Sequence, residues 1–170
     1  MTPMDVRPAE TEDEIEHVRR LFRSFLAWHR ERHIDDLDLI DAYFDGPAYE
    51  REIAGLPGPY APPEGALLLC WNAEIALGCG AFRRIDAQRC EMKRMFVAPT
   101  ARGAGAGRAL ATALIERAKA AGYREMHLDT SVRQQEAITL YRDLGFVETP
   151  PPHEVPEAMR GWLLFFCREL

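Results

Sequence analysis

The stretch "MFVAPTARGAGAGRAL", Met95 to Leu110, joins an apolar run to a helical pattern through three glycines that alternate with alanines. Seven of the ten residues from Ala101 to Leu110 are Ala or Gly, so few side chains are on hand for chemistry. What such a stretch offers is backbone N–H groups that a ligand can approach closely. At the start of a helix, the ligand that suits them is an anion.

Upstream of this stretch, Ala66–Trp71, Ile75–Arg83 and Cys90–Val97 read as strands. The turns Asn72–Glu74 and Asp86–Gln88 between them are short, which predicts an antiparallel meander. Downstream, Ala106, Leu110, Ala113, Leu114 and Ala118 recur at helical spacing, and Gly122 stops the helix. Met126–Thr130 reads as a strand, so strand, helix and strand make a parallel crossover. Ala137, Leu140, Tyr141 and Leu144 define another helix, ended by Gly145, and Trp162–Arg168 is the last strand. At the other end of the chain, Asp5–Pro8 is a short strand. Thr11 and Glu14 form a capping box that opens a helix with Ile15, Val18, Leu21, Phe22, Phe25 and Leu26 on its apolar face. A broken helical region from Asp35 to Ala54 and a Pro/Gly-rich loop from Leu56 to Gly65 complete the order β-α-α-β-β-β-α-β-α-β-β. This predicts an α/β fold with a mixed, mostly antiparallel central sheet and helices on both faces.

A chain of 170 residues with 47% apolar and 28% charged residues reads as one globular domain. Its net charge of −6 argues against non-specific nucleic-acid binding. The apolar runs ALLLCW and WLLFFC are too short to cross a bilayer, and the N-terminal MTPMDVRPAE lacks an apolar leader, so no membrane association and a cytoplasmic location are expected. Cys70, Cys79, Cys90 and Cys167 form no CxxC pair, as expected for reduced thiols.

Three kinds of glycine loop compete for residues 102–107. A Walker loop needs GxxxxGK followed by Ser or Thr, which is absent. A dinucleotide fingerprint needs GxGxxG, but counting from Gly103 the sixth position is Arg108. The form Arg-x-x-Gly-x-Gly is met by Arg102, Gly105 and Gly107.

With these residues, the segment CEMKRMFVAPTARGAGAGRALATALIERA resembles the acetyl-CoA-binding core of the GNAT family of N-acetyltransferases. AITLYRDLGF, Ala137 to Phe146, resembles that family's next motif. The resemblance implies that residues 1–170 are a single N-acetyltransferase domain with acetyl-CoA as acetyl donor and no metal. It implies that the backbone of Arg102, Gly103, Ala104, Gly105, Ala106 and Gly107 cradles the pyrophosphate of coenzyme A. A helix N-terminus carries about half a positive charge, and Arg102 and Arg108 add charge-assisted contacts. The backbone of Phe96 and Val97 would meet the pantetheine arm, which in the family lies between two splayed strands. Gln134 stands where the family often has Asn.

Acetyl transfer to an amine needs a neutral nitrogen, and an ammonium of pKa about 10.4 must first lose a proton. The resemblance offers Glu91 as general base and Tyr141 as the acid that protonates the leaving thiolate. Period-2 alternation expects Glu91 to share a face with Lys93, Met95 and Val97; its alternative is a solvent-facing glutamate. Tyr141 also fits the apolar stripe of its helix. A covalent route through Cys79 or Cys90 is disfavoured, since neither has a histidine beside it in sequence.

His29 and His33 lie in HRERH, which is not HExxH, and a surface helix rather than a metal site is expected. Between Asp35 and Glu52, seven acids face one base, Arg51, as either a solvated helix face or an acidic rim that attracts amines. Lys93 and Arg94 point instead to an acceptor that bears a carboxylate. The final strand, apolar on both faces, is either interior to the sheet or meets a partner in a homodimer. The expected activity is direct, ternary-complex acetyl transfer to the primary amine of a small molecule. A protein or peptide N-acetyltransferase and a non-catalytic acyl-CoA-binding module are the alternatives.

Overall fold

A computed structural model of the chain describes residues 3–170. Seven strands, β1 (Met4–Pro8), β2 (Ala66–Asn72), β3 (Ile75–Arg84), β4 (Arg89–Val97), β5 (Glu125–Ser131), β6 (Val147–Glu148) and β7 (Leu163–Glu169), form one sheet in the order β1-β2-β3-β4-β5-β7-β6. The β4–β5 pair is parallel and the others are antiparallel, as the sequence predicts.

Helices α1 (Glu12–Arg32), α2 (Leu37–Phe44) and α3 (Gly46–Ala54) cover one face of the sheet; α4 (Ala106–Ala120) and α5 (Gln135–Asp143) cover the other. The helix α1 begins at the expected capping box, in which Thr11 Oγ1 accepts from the Glu14 N–H at 3.2 Å and Glu14 accepts from the Thr11 N–H at 3.1 Å. The broken helical region from Asp35 splits at Asp45, whose φ of 42° turns the chain between α2 and α3. Alternation sorts β2 between the two cores: Leu68 and Cys70 pack towards α4, Leu67, Leu69 and Trp71 towards α1. The last strand, β7, lies between β5 and β6. Its Leu164 and Phe166 meet the α4 core, while Phe165 and Leu163 pack with Val155 and Met159. An interior place in the sheet therefore accounts for its two apolar faces.

The irregularity that shapes the site lies in β4. Cys79 stands opposite Phe96, but Ala81 stands opposite Lys93, so three steps of β4 match two of β3. The extra residue is Arg94, with φ of 59°. A bulge of this kind reverses the side-chain phase beyond it. Cys90 and Met92 face α4 before the bulge, and Met95 and Val97 face α4 after it. Glu91 and Lys93 therefore look to the opposite face from Met95 and Val97. The expectation that all four share one face is corrected: unbroken alternation cannot hold across an inserted residue.

The Arg94 guanidinium makes two contacts with Glu52 on α3, at 2.9 and 3.2 Å, and lies over the rings of Phe44 and Tyr49. Both partners are nearly buried, so each neutralises a charge that water reaches poorly. Glu52→Ala should lower unfolding stability by about 3 kcal/mol, because an unpaired guanidinium would be left behind. In urea unfolding, the double variant Glu52→Leu/Arg94→Met should recover most of that loss.

Candidate active site

The ladder between β4 and β5 contains three pairs, Arg89–Glu125, Cys90–Met126 and Glu91–His127. Beyond them β4 continues to Val97 and β5 to Ser131, and the two strands separate. Two hollows fill the opening. The outer one, of about 450 Å³, lies between the glycine loop, the end of β4 and α5. The inner one, of about 50 Å³, lies between the splayed strands and under α1 and α2. Phe25, Met95, Gln134 and Tyr141 line both, so the two adjoin.

The outer hollow gathers most of the expected cofactor residues. Phe96, Val97, Arg102, Gly103, Gly105, Ala106, Gly107, Arg108 and Gln134 line it; Ala104 belongs to the loop without lining it. Gly103 and Gly105 have φ of 82° and 90°, values that favour glycine. Gly105 is the N-cap of α4, and no side chain caps the helix there, so its first N–H donors remain for another acceptor. A Cβ on Gly107 would stand 3.5 and 3.8 Å from methyl groups of Leu140 and Val97, so any longer side chain there projects into the hollow. Arg108 is drawn aside by Asp143 at 3.1 Å. Arg102 folds back, donating to the Val97 carbonyl at 3.1 Å and stacking 4.2 Å above Trp28.

The inner hollow is organised by one polar chain. Arg83 and Lys93 hold Glu91 at 3.3 and 3.5 Å, Lys93 donates to the Tyr43 hydroxyl at 3.1 Å, and that hydroxyl donates to Asp129 at 2.7 Å. Burial pushes the Glu91 carboxyl up, but Lys93 and Arg83 together hold it below the usual range. Glu91 is buried and does not line the cleft, whereas Asp129 does. Burial, with the Asp129 charge, raises the phenols of Tyr43 and Tyr141 well above the ordinary value, so both stay protonated. Lys93 and Arg94 line the hollow too, but each is already paired with a glutamate. Among the described residues, Asp129 has no ionic partner, and Ser131 Oγ is buried without a hydrogen bond. Burial pushes the thiols of Cys79 and Cys90 up to about 12 each, the wrong direction for a nucleophile.

Several of these residues escape sequence reasoning. Tyr43 on α2 reaches Asp129 across 86 positions of chain, with no local signal. Asp129 had one: in EMHLDT the polar residues Glu125, His127 and Asp129 alternate with apolar ones and mark a half-exposed strand face. The acids of residues 35–52 are neither a bare rim nor simply solvated. Asp36 accepts from Arg133 and Trp162, Asp41 pairs with Arg30, Glu50 with Arg23 and Glu52 with Arg94. His29 is not on a surface: it is buried, lines the inner hollow and leaves Nδ1 without a partner.

The model of the acetyltransferase (GNAT) family matches residues 18–146, and the chain belongs to that family. It is 38% identical over 122 residues to the IAA acetyltransferase of Azospirillum brasilense, covering 69% of this chain and 76% of that protein. It is 36% identical over 109 residues to an uncharacterized N-acetyltransferase of Schizosaccharomyces pombe, covering 63% and 67%. Among solved structures, an acetyltransferase of Streptococcus agalactiae superposes with a TM-score of 0.73 at 19% identity over the whole of both chains. The PaiA N-acetyltransferase of Thermoplasma acidophilum, in complex with coenzyme A, superposes with a TM-score of 0.72 at 14% identity over 99% of each.

Burial lowers the pKa of His29 from 6.5 to about 4, with His33 and Arg102 adding to the effect. The folded state thus holds His29 neutral where the unfolded chain takes a proton. The stability this gives is full above pH 6.5 and is lost as pH falls towards 4, on the order of 3 kcal/mol. In urea titrations across that window, His29→Leu should flatten the acid-side loss.

Proposed function

We propose that this chain transfers the acetyl group of acetyl-CoA to the primary amine of a small molecule, by direct attack within a ternary complex. The observation that carries this reading is the opening between β4 and β5, where the glycine-loop hollow adjoins the hollow that Asp129 lines. The loop fits a diphosphate, since it pairs uncapped helix N–H groups with glycines that leave room for phosphate oxygens. The pantetheine arm would lie along Met95–Val97 and take over the Val97 carbonyl that Arg102 now occupies. Tyr141, which lines both hollows, would give its proton to the thiolate under this reading.

At the acceptor end Asp129 is the acid without an ionic partner among the described residues. Asp129 is suited to hold an ammonium and pass its proton to solvent, leaving the nitrogen neutral for attack. Glu91 acts at one remove: it anchors Lys93, which with Tyr43 fixes the Asp129 carboxylate. Glu52 neutralises Arg94, and Glu91 and Asp129 together offset Arg83 and Lys93, so no net positive charge remains to hold an acceptor's carboxylate, and the reading favours an amine without one. Phe25, His29, Tyr43, Phe44 and Trp162 wall the inner hollow, which fits a short amine better than a peptide. The high thiol pKa values of Cys79 and Cys90 favour direct transfer over an acetyl-cysteine intermediate.

Thiol release from acetyl-CoA, followed across a panel of diamines, amino acids and peptides, tests the reading. Turnover with short cationic amines is expected, and turnover with peptides alone would overturn it. Gly107→Trp should weaken coenzyme A binding at least about tenfold in calorimetry, or ~1.4 kcal/mol, with little change in melting temperature. Asp129→Asn should lower kcat/KM for amines by about 10²–10⁴ while leaving coenzyme A affinity unchanged.

A further inference from the structure

Outside the cleft, β5 and β7 collect four metal-ligating side chains on one face of the sheet. Met126, Leu128 and Phe166 point into the α4 core, so Glu125, His127, Cys167 and Glu169 alternate to the opposite face. The register sets Glu125 opposite Glu169 and His127 opposite Cys167, two neighbouring cross-strand pairs. Three donor atoms already converge. His127 Nε2 lies 3.0 Å from Glu125 Oε2 and 3.5 Å from Cys167 Sγ, and Sγ lies 3.9 Å from the same carboxylate oxygen.

Tetrahedral bonds of about 2.3 Å to sulfur and 2.0–2.2 Å to nitrogen or oxygen require donor–donor edges of roughly 3.4–3.6 Å. The triangle in this structure is within about half an ångström of that on every edge. We propose that Glu125, His127 and Cys167 bind one divalent cation of the zinc class, with water or Glu169 in the fourth position. Glu125, Cys167 and Glu169 also border one surface hollow.

The donor set argues for the metal class. Thiolate and imidazole select zinc-like ions over magnesium or calcium, and two carboxylates on the same face offset the cation's charge. Two cations lie nearby: Arg89, opposite Glu125 on β4 and held by Asp86 at 2.7 Å, and Arg168, which lines the same hollow. His127 is buried and its Nδ1 makes no hydrogen bond, so the other two donors are its ring's polar partners among the described residues. Burial, reinforced by Glu125 and Glu169, keeps the Cys167 thiol protonated. Binding therefore forms a sulfur–metal bond and releases the thiol proton to solvent.

His127 faces Glu91 in the last ladder pair before β4 and β5 part. A cation bound there clips β5 to β7 directly behind the segment that carries Asp129. The sequence gives little warning of the site, because its ligands pair residues 40 positions apart.

Titration of the reduced full-length protein with Co²⁺ tests the site without recourse to activity. One saturable equivalent per chain is expected, with a near-ultraviolet sulfur-to-cobalt charge-transfer band that Zn²⁺ bleaches. Cys167→Ser should abolish the band. Glu125→Gln, a change at a half-exposed position, and His127→Gln should each weaken binding at least about tenfold, as loss of a ligand does. His33→Gln should leave binding unchanged. Absence of a saturable band, or a band that persists in Cys167→Ser, would overturn the proposal.

Discussion

The pairing of Arg94 with Glu52 is the interaction on which the geometry of the cleft depends. A non-glycine residue with φ of 59° inside a strand is strained, and it persists only where its surroundings hold it. Here the hold is a nearly buried two-point ion pair, roofed by Phe44 and Tyr49. The bulge it secures reverses the phase of β4, increases local twist and sends the strand away from β5. The opening, the two adjoining hollows and the exposure of Asp129 to the inner one all follow from that departure.

The electrostatics of the inner hollow follow from pairing rather than from composition. Cations and acids are plentiful around it, yet Lys93, Arg94, Asp36 and Glu52 are each committed to a partner. In a site of low polarity such pairs cancel at short range, so the residue left over governs what a ligand feels. Counting charges along the chain overstates the rim of acids and overstates the two cations of β4 in the same way.

The features legible in the sequence are the local ones. Strand alternation, the Thr11–Glu14 box, the turns and the glycine loop are written within a few residues of one another. Together with the Ala137–Phe146 motif they place the cofactor half of the cleft. The bulge was not legible, because arginine in a left-handed conformation has no sequence signature and is imposed by Glu52 from another element. Glu91 takes the face opposite to Met95 and Val97 for that reason. Tyr43, His29 and Asp129 enter the inner hollow through contacts made only when α1 and α2 fold over the sheet. The fate of the acids between Asp35 and Glu52 depends likewise on arginines elsewhere: Arg23 and Arg30 on α1, Arg94 on β4 and Arg133 after β5.

The phase reversal at Arg94 divides β4 into two halves with separate audiences. Residues before it, Glu91 and Lys93, look towards α1 and α2 and tie into the polar chain that ends on Asp129. Residues after it, Met95 to Val97, border the glycine loop. Under the proposed reading, acceptor preference and donor binding are therefore drawn largely from different stretches of one strand, on either side of a single strained residue, with Met95 shared between them. Such a chain is able to drift towards new amines by exchanging residues on the early half, while the later half keeps its grip on the acyl carrier.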